Sequence, residues 1–533
     1  MNKWGPLVIL GLAQFLMVLD QAVMNVSISQ LVEDFDTTVT VIQGVITFYS
    51  LVMAMLMITG GKIGDRVGRR RAFIVGLVIY ASGSALTAAS WSVGSLAFGW
   101  SVLEGIGAAL VLPALAALIA GNYVGKDRVV AYAVVGGVAG AGIAVGPILG
   151  GWVTTEFTWR YVFVGEVVLV LLILTLIKLL RDAPAPGRPP QIDWIGSVLS
   201  SLGLGLIVLG VLQASTWGWI QPKNSPSEPF GFSLTPFVVA AGGVTLWLFV
   251  SWQHRRDRVG ADPLVHLVLL RVAALRSGLQ TFLVQNLVLM GIFFAVPLYL
   301  QLVQGLDALD TGIQMLPVSI TMFITSMAGS ALAARFSPRL IIRTGLAILL
   351  VSIGWLLSNI EPELDSTSFS VAMGLLGIGM GLIASQLGNV VQSSVDDAER
   401  GEAGGLQYTS QQLGSAVGVA LIGAVVLTGL TNNFLDKVET DPRISDQVEQ
   451  AVSVEVANGV SFVASDAVQA GAEAAGVPTA EVAALVDNYE AAQLKALKAG
   501  LLVAGFVVLA GFFVTPGLPA ARPTREEPVV STS

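Results

Sequence analysis

The sequence predicts an all-α protein that crosses a membrane many times, and three observations carry this prediction. Hydrophobic residues make up 54% of the 533 residues and charged residues only 12%, which is about half the charged share of soluble domains. Apolar runs of roughly 18 or more residues recur along the chain, each long enough to cross a bilayer as a helix. The third observation is an internal repeat. We therefore expect fourteen transmembrane helices, as two six-helix bundles plus a central pair of extra helices.

The apolar runs predict spans centred near Gln14, Ala54, Ala81, Ala108, Gly142, Leu171, Gly203, Gly243, Leu289, Met322, Leu349, Gly381, Val417 and Gly505. The first run lacks an A-x-A-like cleavage site, so we interpret it as a retained span and not as a signal peptide. With these spans, all but six of the 28 Lys and Arg residues fall in loops on one side. The positive-inside rule then predicts that both termini are cytoplasmic.

The internal repeat consists of two similar segments, one after the second predicted span and one after the tenth. "GKIGDRVGRRRAF" (61–73) follows the second span, and "SALAARFSPRLII" (330–342) follows the tenth in the same register, with Arg335 aligned to Arg66 and Arg339 to Arg70. Two equivalent halves are a common plan of large transporters.

Composition shifts place the joints between these halves. A Pro-rich stretch, 181–190, and a charged stretch, 254–263, flank spans seven and eight. The predicted division is an N-terminal six-helix half at 1–180, a linker with transmembrane helices 7 and 8 at 181–275, a C-terminal six-helix half at 276–515 and a cytoplasmic tail at 516–533.

The acidic residues are concentrated in one exterior segment, 431–493, which lies between spans thirteen and fourteen within the C-terminal half. We interpret this segment as a solvated loop with short surface helices. A substrate vestibule or a partner site is the alternative.

Several chemistries are excluded by composition. The chain has no cysteine and only two histidines, His254 and His266, so no cluster for zinc, haem or an iron–sulfur centre is expected. A G-x-x-x-x-G-K-[ST] phosphate loop is also missing from the sequence, so ATP is not the expected energy source. No metal, cofactor or nucleic-acid partner is predicted.

Three carboxylates stand inside apolar spans. Asp20 lies in "VLDQAVMNV", while Glu104 and Glu166 lie in spans four and six, all toward the outer half of the N-terminal bundle. A carboxylate in hydrocarbon costs roughly 2.5 kcal/mol or more, and such groups usually face a cavity or mark a proton or substrate path. The structural alternative for Asp20 is a hydrogen-bonded carboxylate that serves helix packing. Glu166 has the alternative of an ion pair with Arg160.

The C-terminal half has no acid well inside a predicted span. Neutral polar and aromatic residues there are expected to supply shape, hydrogen bonds and stacking: Gln285, Asn286, Phe293, Phe294, Tyr299, Gln301, Gln314, Gln386 and Asn389.

Three motifs resemble those of the major facilitator superfamily, and more narrowly of its fourteen-span drug:proton antiporter family, the QacA/EmrB type. "LDQAVMNVSIS" (19–29) resembles the first-span signature and keeps Asp20 and Asn25. The cytoplasmic signature G-x-L-a-D-R-x-G-R-r is met at Gly61, Ile63, Asp65, Arg66, Gly68, Arg69 and Arg70. The antiporter signature G-x-x-x-G-P-x-x-G-G is met at Gly142, Gly146, Pro147, Gly150 and Gly151.

The resemblance implies a role for each motif. The cytoplasmic motif would act as a latch between the halves that opens and closes with alternating access. Asp65 would accept from backbone N–H groups at a helix start, and the arginines would bind carbonyl ends or carboxylates across the seam. The alternative, a positive-inside anchor, explains the arginines but not Asp65 and Gly68. In the antiporter motif, the glycines share one helix face and allow close packing, while Pro147 would bend the helix.

The fourth span departs from the family pattern. Ser101 stands where the family usually has arginine, and Glu104 stands where it usually has glutamine. The loss of a cation and the gain of an acid favour a proton carrier at this point. Our hypothesis is that Asp20 and Glu104 share proton coupling and cation recognition, with Glu166 as a further candidate.

The resemblance implies a proton-coupled multidrug efflux transporter, associated with antibiotic resistance, in a bacterial plasma membrane. Its expected partners are small lipophilic or cationic substrates, protons and membrane lipid, and it is expected to act as a monomer. An exporter of a lipid or a dedicated endogenous metabolite is the alternative. A membrane enzyme fits less well, because the sequence has few His, no Cys and no clustered polar groups at the membrane surface. A simple channel fits less well because of the paired halves.

Overall fold

The computed structural model describes residues 3–37, 39–182, 191–222, 225–457 and 462–521, and the regular structure in these ranges is entirely helical. The N-terminal part contains α1 (Gly5–Val26), α2 (Ile28–Asp34), α3 (Val39–Val67), α4 (Arg69–Ala88), α5 (Val93–Asn122), α6 (Gly125–Glu156) and α7 (Arg160–Leu176). The central insertion contains α8 (Trp194–Trp217) and α9 (Thr235–Arg258). The C-terminal part contains α10 (Ala273–Leu298), α11 (Ala308–Leu332), α12 (Pro338–Asn359), α13 (Ser366–Ser393), α14 (Arg400–Thr440), α15 (Asp446–Ala457), α16 (Ser465–Ala474) and α17 (Thr479–Val514).

These lengths and compositions confirm the predicted fold class. Within the described residues, thirteen helices are long and apolar enough to cross a membrane, and the apolar stretch Gly5–Gln21 of α1 is shorter. The exact count of fourteen spans therefore stays a prediction.

Short polar residues fix where several helices begin. Asp193 accepts from the backbone N–H of Gly196 at the start of α8. Asp307 caps α11, Ser337 caps α12 and Asp365 caps α13 in the same manner. Each cap satisfies a backbone N–H group that has no partner inside its own helix.

The spans form two bundles, each around its own apolar core. The bundles meet along two seams, α3 against α14 and α6 against α11. The insertion helix α8 packs on both α3 and α14, and α9 packs on α8. The insertion thus lies against one of the two seams and contacts both bundles.

The repeat found in the sequence has a structural counterpart in the contacts of its arginines. Arg70 donates to the carbonyl oxygen of Ile177, just after α7, at 3.2 Å. Its aligned residue Arg339 donates through Nε to the carbonyl oxygen of Leu518, just after α17, at 2.9 Å. In each bundle, the arginine thus binds the chain at the end of the last long helix. Arg70 follows α3 and binds after α7, and Arg339 follows α11 and binds after α17.

The acidic segment 431–493 contains more helix than the predicted loop, because the long helices on both sides extend into it. Helix α14 runs on to Thr440 and α17 begins at Thr479, while α15 and α16 are the short helices between them. Arg443 binds Asp441 and Asp487 here, both at 2.8 Å. The hydrogen bonds from Arg443 hold the pKa of Asp441 well below its usual range.

Candidate functional site

A cavity of about 770 Å³ lies between the two bundles. Its aromatic lining consists of Tyr132, Phe282, Phe293, Phe294 and Tyr408. Its carboxamide lining consists of Gln14, Gln21, Gln285, Asn286, Gln301, Gln407, Gln411 and Gln412. Within the described part of the chain, no Asp, Glu, Lys, Arg or His lines this cavity. The cavity is therefore apolar and hydrogen-bonding but not charged.

Of the neutral residues expected to face a cavity in the C-terminal half, five line it, namely Gln285, Asn286, Phe293, Phe294 and Gln301. The others lie elsewhere. Tyr299 donates to the backbone carbonyls of Asn359 and Glu361, and Gln386 donates to the carbonyl of Gly329.

The two bundles are joined by hydrogen bonds at and beside the cavity. Tyr408 of α14 donates to the side-chain oxygen of Gln14 on α1 at 3.2 Å. Ser326 of α11 donates to the backbone carbonyl of Ala133 on α6 at 2.6 Å. These contacts lie nearer to the end of the bundles that carries Lys62 and Arg69, which we call the basic face.

The three acids predicted from the sequence meet in one cluster, which we call the acid cluster. Asp20 on α1, Glu104 on α5 and Glu166 on α7 each offer one carboxylate oxygen, and these oxygens lie within 4.8 Å of one another. All three side chains are buried, with at most 2% of their surface exposed. None of them lines the cavity. The cluster is thus enclosed in the N-terminal bundle, although Gln21, the neighbour of Asp20, faces the cavity.

The acid cluster is surrounded by hydrogen-bond donors that carry no charge. Trp100 Nε1 donates to Asp20 Oδ1 at 2.8 Å. Ser84 and Tyr80 donate to one oxygen of Glu166, and Thr87 donates to one oxygen of Glu104, at 3.0–3.4 Å.

The second oxygen of each acid has no hydrogen-bond partner among the described residues. The ion pairs found in the described ranges also include none to these three acids. Three buried negative charges without a compensating group are strongly unfavourable. The geometry therefore suits a cluster that takes up protons, and its all-oxygen ligand set at this spacing would also suit a hard metal ion.

Local backbone geometry brings the cluster together. Helix α5 widens into a π-helix over Ala97–Glu104, a deviation that is frequent at functional sites. Gly83 of α4 faces this segment, and a Cβ atom there would lie 2.7 Å from Glu104 Cγ. Ser101, at the family's arginine position, is buried and donates to the carbonyl of Val45 at 2.8 Å.

The alternative in which Glu166 pairs with Arg160 is wrong for this structure. Arg160 donates to the backbone carbonyls of Ala88 and Ser90 at 3.3 and 2.8 Å. Its guanidinium also lies 3.9 Å from a carboxylate oxygen of Asp34. Glu166 instead belongs to the acid cluster.

The antiporter motif packs α6 on α1 beside the acid cluster. A Cβ at Gly142 would lie 3.1 Å from Val18, and one at Gly150 would lie 2.9 Å from Val23. Gly146 is buried and Gly151 is half-buried. The side chains of Pro147 and Asn25 lie outside the described residues.

On the basic face, the cytoplasmic motif connects the two halves. Arg69 donates through Nε and Nη2 to Asp65 Oδ1 at 3.2 Å and also donates to the backbone carbonyl of Asp397 in the C-terminal half. The partner of Asp65 is thus this guanidinium, and its other oxygen has no partner among the described residues, so the expected backbone N–H contact is not formed. Arg66 is exposed.

Two motif glycines have backbone roles. Gly68 has φ +98°, a conformation that side chains rarely adopt, and it separates α3 from α4. Gly61 faces the backbone of Gly401 so closely that a Cβ would clash with it. The signature therefore brings α3 and α14 into direct backbone contact.

A second polar contact at the same seam was not predicted. Lys62 of α3 forms a buried ion pair with Glu402 of α14, and His266 binds the same carboxylate. The sequence signal that would have indicated it is the run "GEAGG" (401–405), because glycines on both sides of an acid indicate close helix packing.

Two apolar helical bundles with a shared cavity at their seam define a membrane transporter of the two-bundle class. The chain belongs to the Major Facilitator Superfamily, whose sequence pattern matches residues 10–419.

Similar proteins support this assignment over most of the chain. It is 32% identical to the puromycin resistance protein pur8 of Streptomyces alboniger over 480 residues, which cover 88% of this chain and 91% of that protein. It is 28% identical to the multidrug efflux pump LfrA of Mycolicibacterium smegmatis over 511 residues, covering 96% and 95%. The crystal structure of the human organic anion transporter MFSD10 (TETRAN) matches with a TM-score of 0.58 and 14% identity over 97% of this chain and all of that one. At this level of sequence identity, the structural similarity shows only that the two proteins share a fold.

Proposed function

We propose that the protein exports lipophilic compounds, cationic ones included, from the cell in exchange for protons. The basic face is cytoplasmic in this proposal, as the charge bias of the loops predicts. Contacts between the halves then close the cytoplasmic side in this structure. Opening of these contacts would admit cargo from the cytoplasm by alternating access. Relatives named for puromycin resistance and multidrug efflux support the cargo class.

The observation that carries the proposal is that the cavity between the bundles and the acid cluster inside the N-terminal bundle are two separate sites. Cargo would occupy the neutral cavity, whose aromatic rings and carboxamides fit flat, lipophilic molecules. Protons would occupy the acid cluster, where Asp20, Glu104 and Glu166 need neutralisation. Helix α1 belongs to both sites, because it carries Asp20 and the cavity residues Gln14 and Gln21. A shift of α1 is the physical link between proton uptake and cargo release.

The neutral lining also favours a second cargo class. A cavity without an ionised side chain has no fixed partner for a cation and accepts uncharged compounds equally well. An exporter of a neutral lipid or of a dedicated metabolite therefore remains the alternative function. In that case, any preference for cations would have to come from the field of the buried acids.

The test is efflux from cells that express the protein, with ethidium as the cationic probe and Nile red as the neutral one. Both probes are measured with and without a protonophore, for the wild type, Asp20→Asn and Glu104→Gln. Export of ethidium that needs the proton gradient and is lost in both variants at equal expression supports proton-coupled export. Export of Nile red alone supports the second cargo class. No export of either probe contradicts the proposed multidrug function.

A further inference from the structure

On the basic face, the junction between the halves consists of three residues, Lys62, Glu402 and His266. Glu402 of α14 is 2% exposed and both of its oxygens are engaged. Oε1 is bound by Lys62 of α3 and by His266 Nδ1, the latter at 3.0 Å. Oε2 accepts from the backbone N–H of His266 at 3.1 Å. A single carboxylate thus connects the N-terminal half, the C-terminal half and the chain that leaves the insertion.

The segment that carries His266 is firmly attached to the insertion. Its neighbours Leu264 and Val265 are buried against Phe249 of α9 and Leu204 of α8. The backbone N–H of Leu264 donates to the side-chain oxygen of Gln253 at 2.7 Å.

The same segment also contacts both halves. The apolar cluster around Leu264 includes Ile58 of α3 as well as Leu406 and Leu413 of α14, and α8 packs along both helices. Separation of α3 from α14 would therefore pull Lys62 away from Glu402 and expose the contact between His266 and Glu402 to water.

We propose that His266 is a positioning residue of the gate between the halves: it fixes Glu402 for Lys62, makes the central insertion part of this gate, and gives its closure a dependence on pH. The inference rests on the proposed alternating access, and it goes beyond the signature motif, which contains neither His266 nor Glu402.

The sign of the pH dependence follows from the groups that face the imidazole. Hydrogen bonding to Glu402 raises the pKa of His266, and the negative charges of Glu402 and Glu399 act in the same direction, while burial and Lys62 oppose it. Asp65 lies one helical turn beyond Lys62 and is already paired with Arg69 at the start of α4. A contact that raises the pKa is strengthened by protonation. The stabilisation is thus complete below the ordinary pKa of histidine and is lost as the pH rises through the raised pKa.

The experiment measures the distance between the halves in purified full-length protein. The chain has no cysteine, so spin labels attach only at introduced ones, for which we choose the exposed residues Lys126 at the start of α6 and Ala398 just before α14. In the wild type, the ratio of closed to open molecules should fall by about fivefold between about pH 6 and about pH 9.

Two variants and a matched control separate positioning from general damage. His266→Gln keeps a hydrogen-bond donor without a titrating ring, and should still close but with a flat pH profile. His266→Ala should shift the population toward the open state at every pH. His254→Gln, which changes the only other histidine, should keep the wild-type profile.

The inference is overturned if the wild-type distances do not change with pH, or if His266→Gln keeps the wild-type profile. Because the distances are read without any cargo, a protein that exports no probe can still support or contradict the role of His266. Conversely, normal efflux with a flat wild-type profile would remove the inference and leave the proposed function in place.

Discussion

The indole Nε1 of Trp100 donates a hydrogen bond of 2.8 Å to Oδ1 of Asp20, and both side chains are at least 99% buried. The indole ring is itself held by stacking on Tyr49, with ring centres 4.7 Å apart. One oxygen of Asp20 is therefore fixed by a rigid aromatic pair. Oδ2 has no hydrogen-bond partner among the described residues. Under the proposed coupling, Oδ2 is the oxygen that would take up a proton.

Asp20→Asn should reduce proton-driven ethidium efflux at least about tenfold, because the amide keeps the shape of the side chain but cannot release a proton. Efflux rates at matched expression measure the effect. Asp34→Asn is the matched control, since Asp34 also accepts from an indole, Trp159, at 2.8 Å but is half-exposed. Wild-type efflux by Asp20→Asn would show that this carboxylate serves helix packing.

Trp100→Phe should retain some efflux but lower it by about tenfold or more, because a hydrogen bond to a charged group contributes roughly 1.5–3 kcal/mol. The phenyl ring can still stack on Tyr49, so the fold should persist. The dependence of efflux on external pH should shift, which a packing defect alone would not produce. An unchanged pH profile would argue against a role of the indole in orienting Asp20.

Glu104→Gln and Glu166→Gln should each stabilise the protein while reducing efflux. Removal of one of three clustered buried acids relieves like-charge repulsion and desolvation, and a rise in Tm of a few degrees is expected at neutral pH. Thermal unfolding in detergent measures this, with Glu156→Gln at the exposed end of α6 as the control. A lower Tm in both cluster variants would indicate that the acids are structural.

Gly150→Val should impair efflux, because its new side chain would collide with Val23, the nearest atom lying 2.9 Å from the position of a Cβ. Overpacking of this kind costs about 1–3 kcal/mol. The second-site change Val23→Ala should restore part of the activity. Gly165→Val in α7 is the control, since no other group lies within 4 Å of that position. A failure of Val23→Ala to compensate would contradict direct α6–α1 packing as the role of the motif.

Gln411→Glu should change cargo preference toward cations. Gln411 lines the cavity, where no ionised side chain is found in the described residues, and a single carboxylate in a partly dry site attracts a cation strongly. The ratio of ethidium to Nile red efflux should rise by about fivefold or more. Gln469→Glu on α16, in the acidic segment 431–493, is the control, because its side chain is exposed and does not line the cavity. Equal ratios in both variants would mean that cargo does not approach Gln411.

The sequence predicted the helical class and the burial of the three acids from hydropathy alone, because a bilayer imposes long apolar spans. It did not predict that Asp20, Glu104 and Glu166 converge. Their convergence depends on the rotation of side chains along α5 that its π-helical segment causes, and on the close approach of α4 to α5 at Gly83. The hydrophobic periodicity of the sequence indicates neither of these.

The junction of Lys62, Glu402 and His266 was missed for a different reason. All three residues stand near predicted span ends, where charged and polar residues are expected to face water. The burial of Lys62 and Glu402 and the partial burial of His266 arise from contact between segments more than 130 residues apart in the chain. The helix-packing signal around Glu402 was present, but its partner could not be identified without the tertiary structure.

The acid cluster lies outside the cavity, and this separation affects how such a protein can evolve. Substitutions in the cavity wall alter which molecules fit without touching Asp20, Glu104 or Glu166. Under the proposed proton coupling, a lineage with this architecture can therefore acquire resistance to a new compound by changing one or two wall residues, while its energy supply is inherited intact.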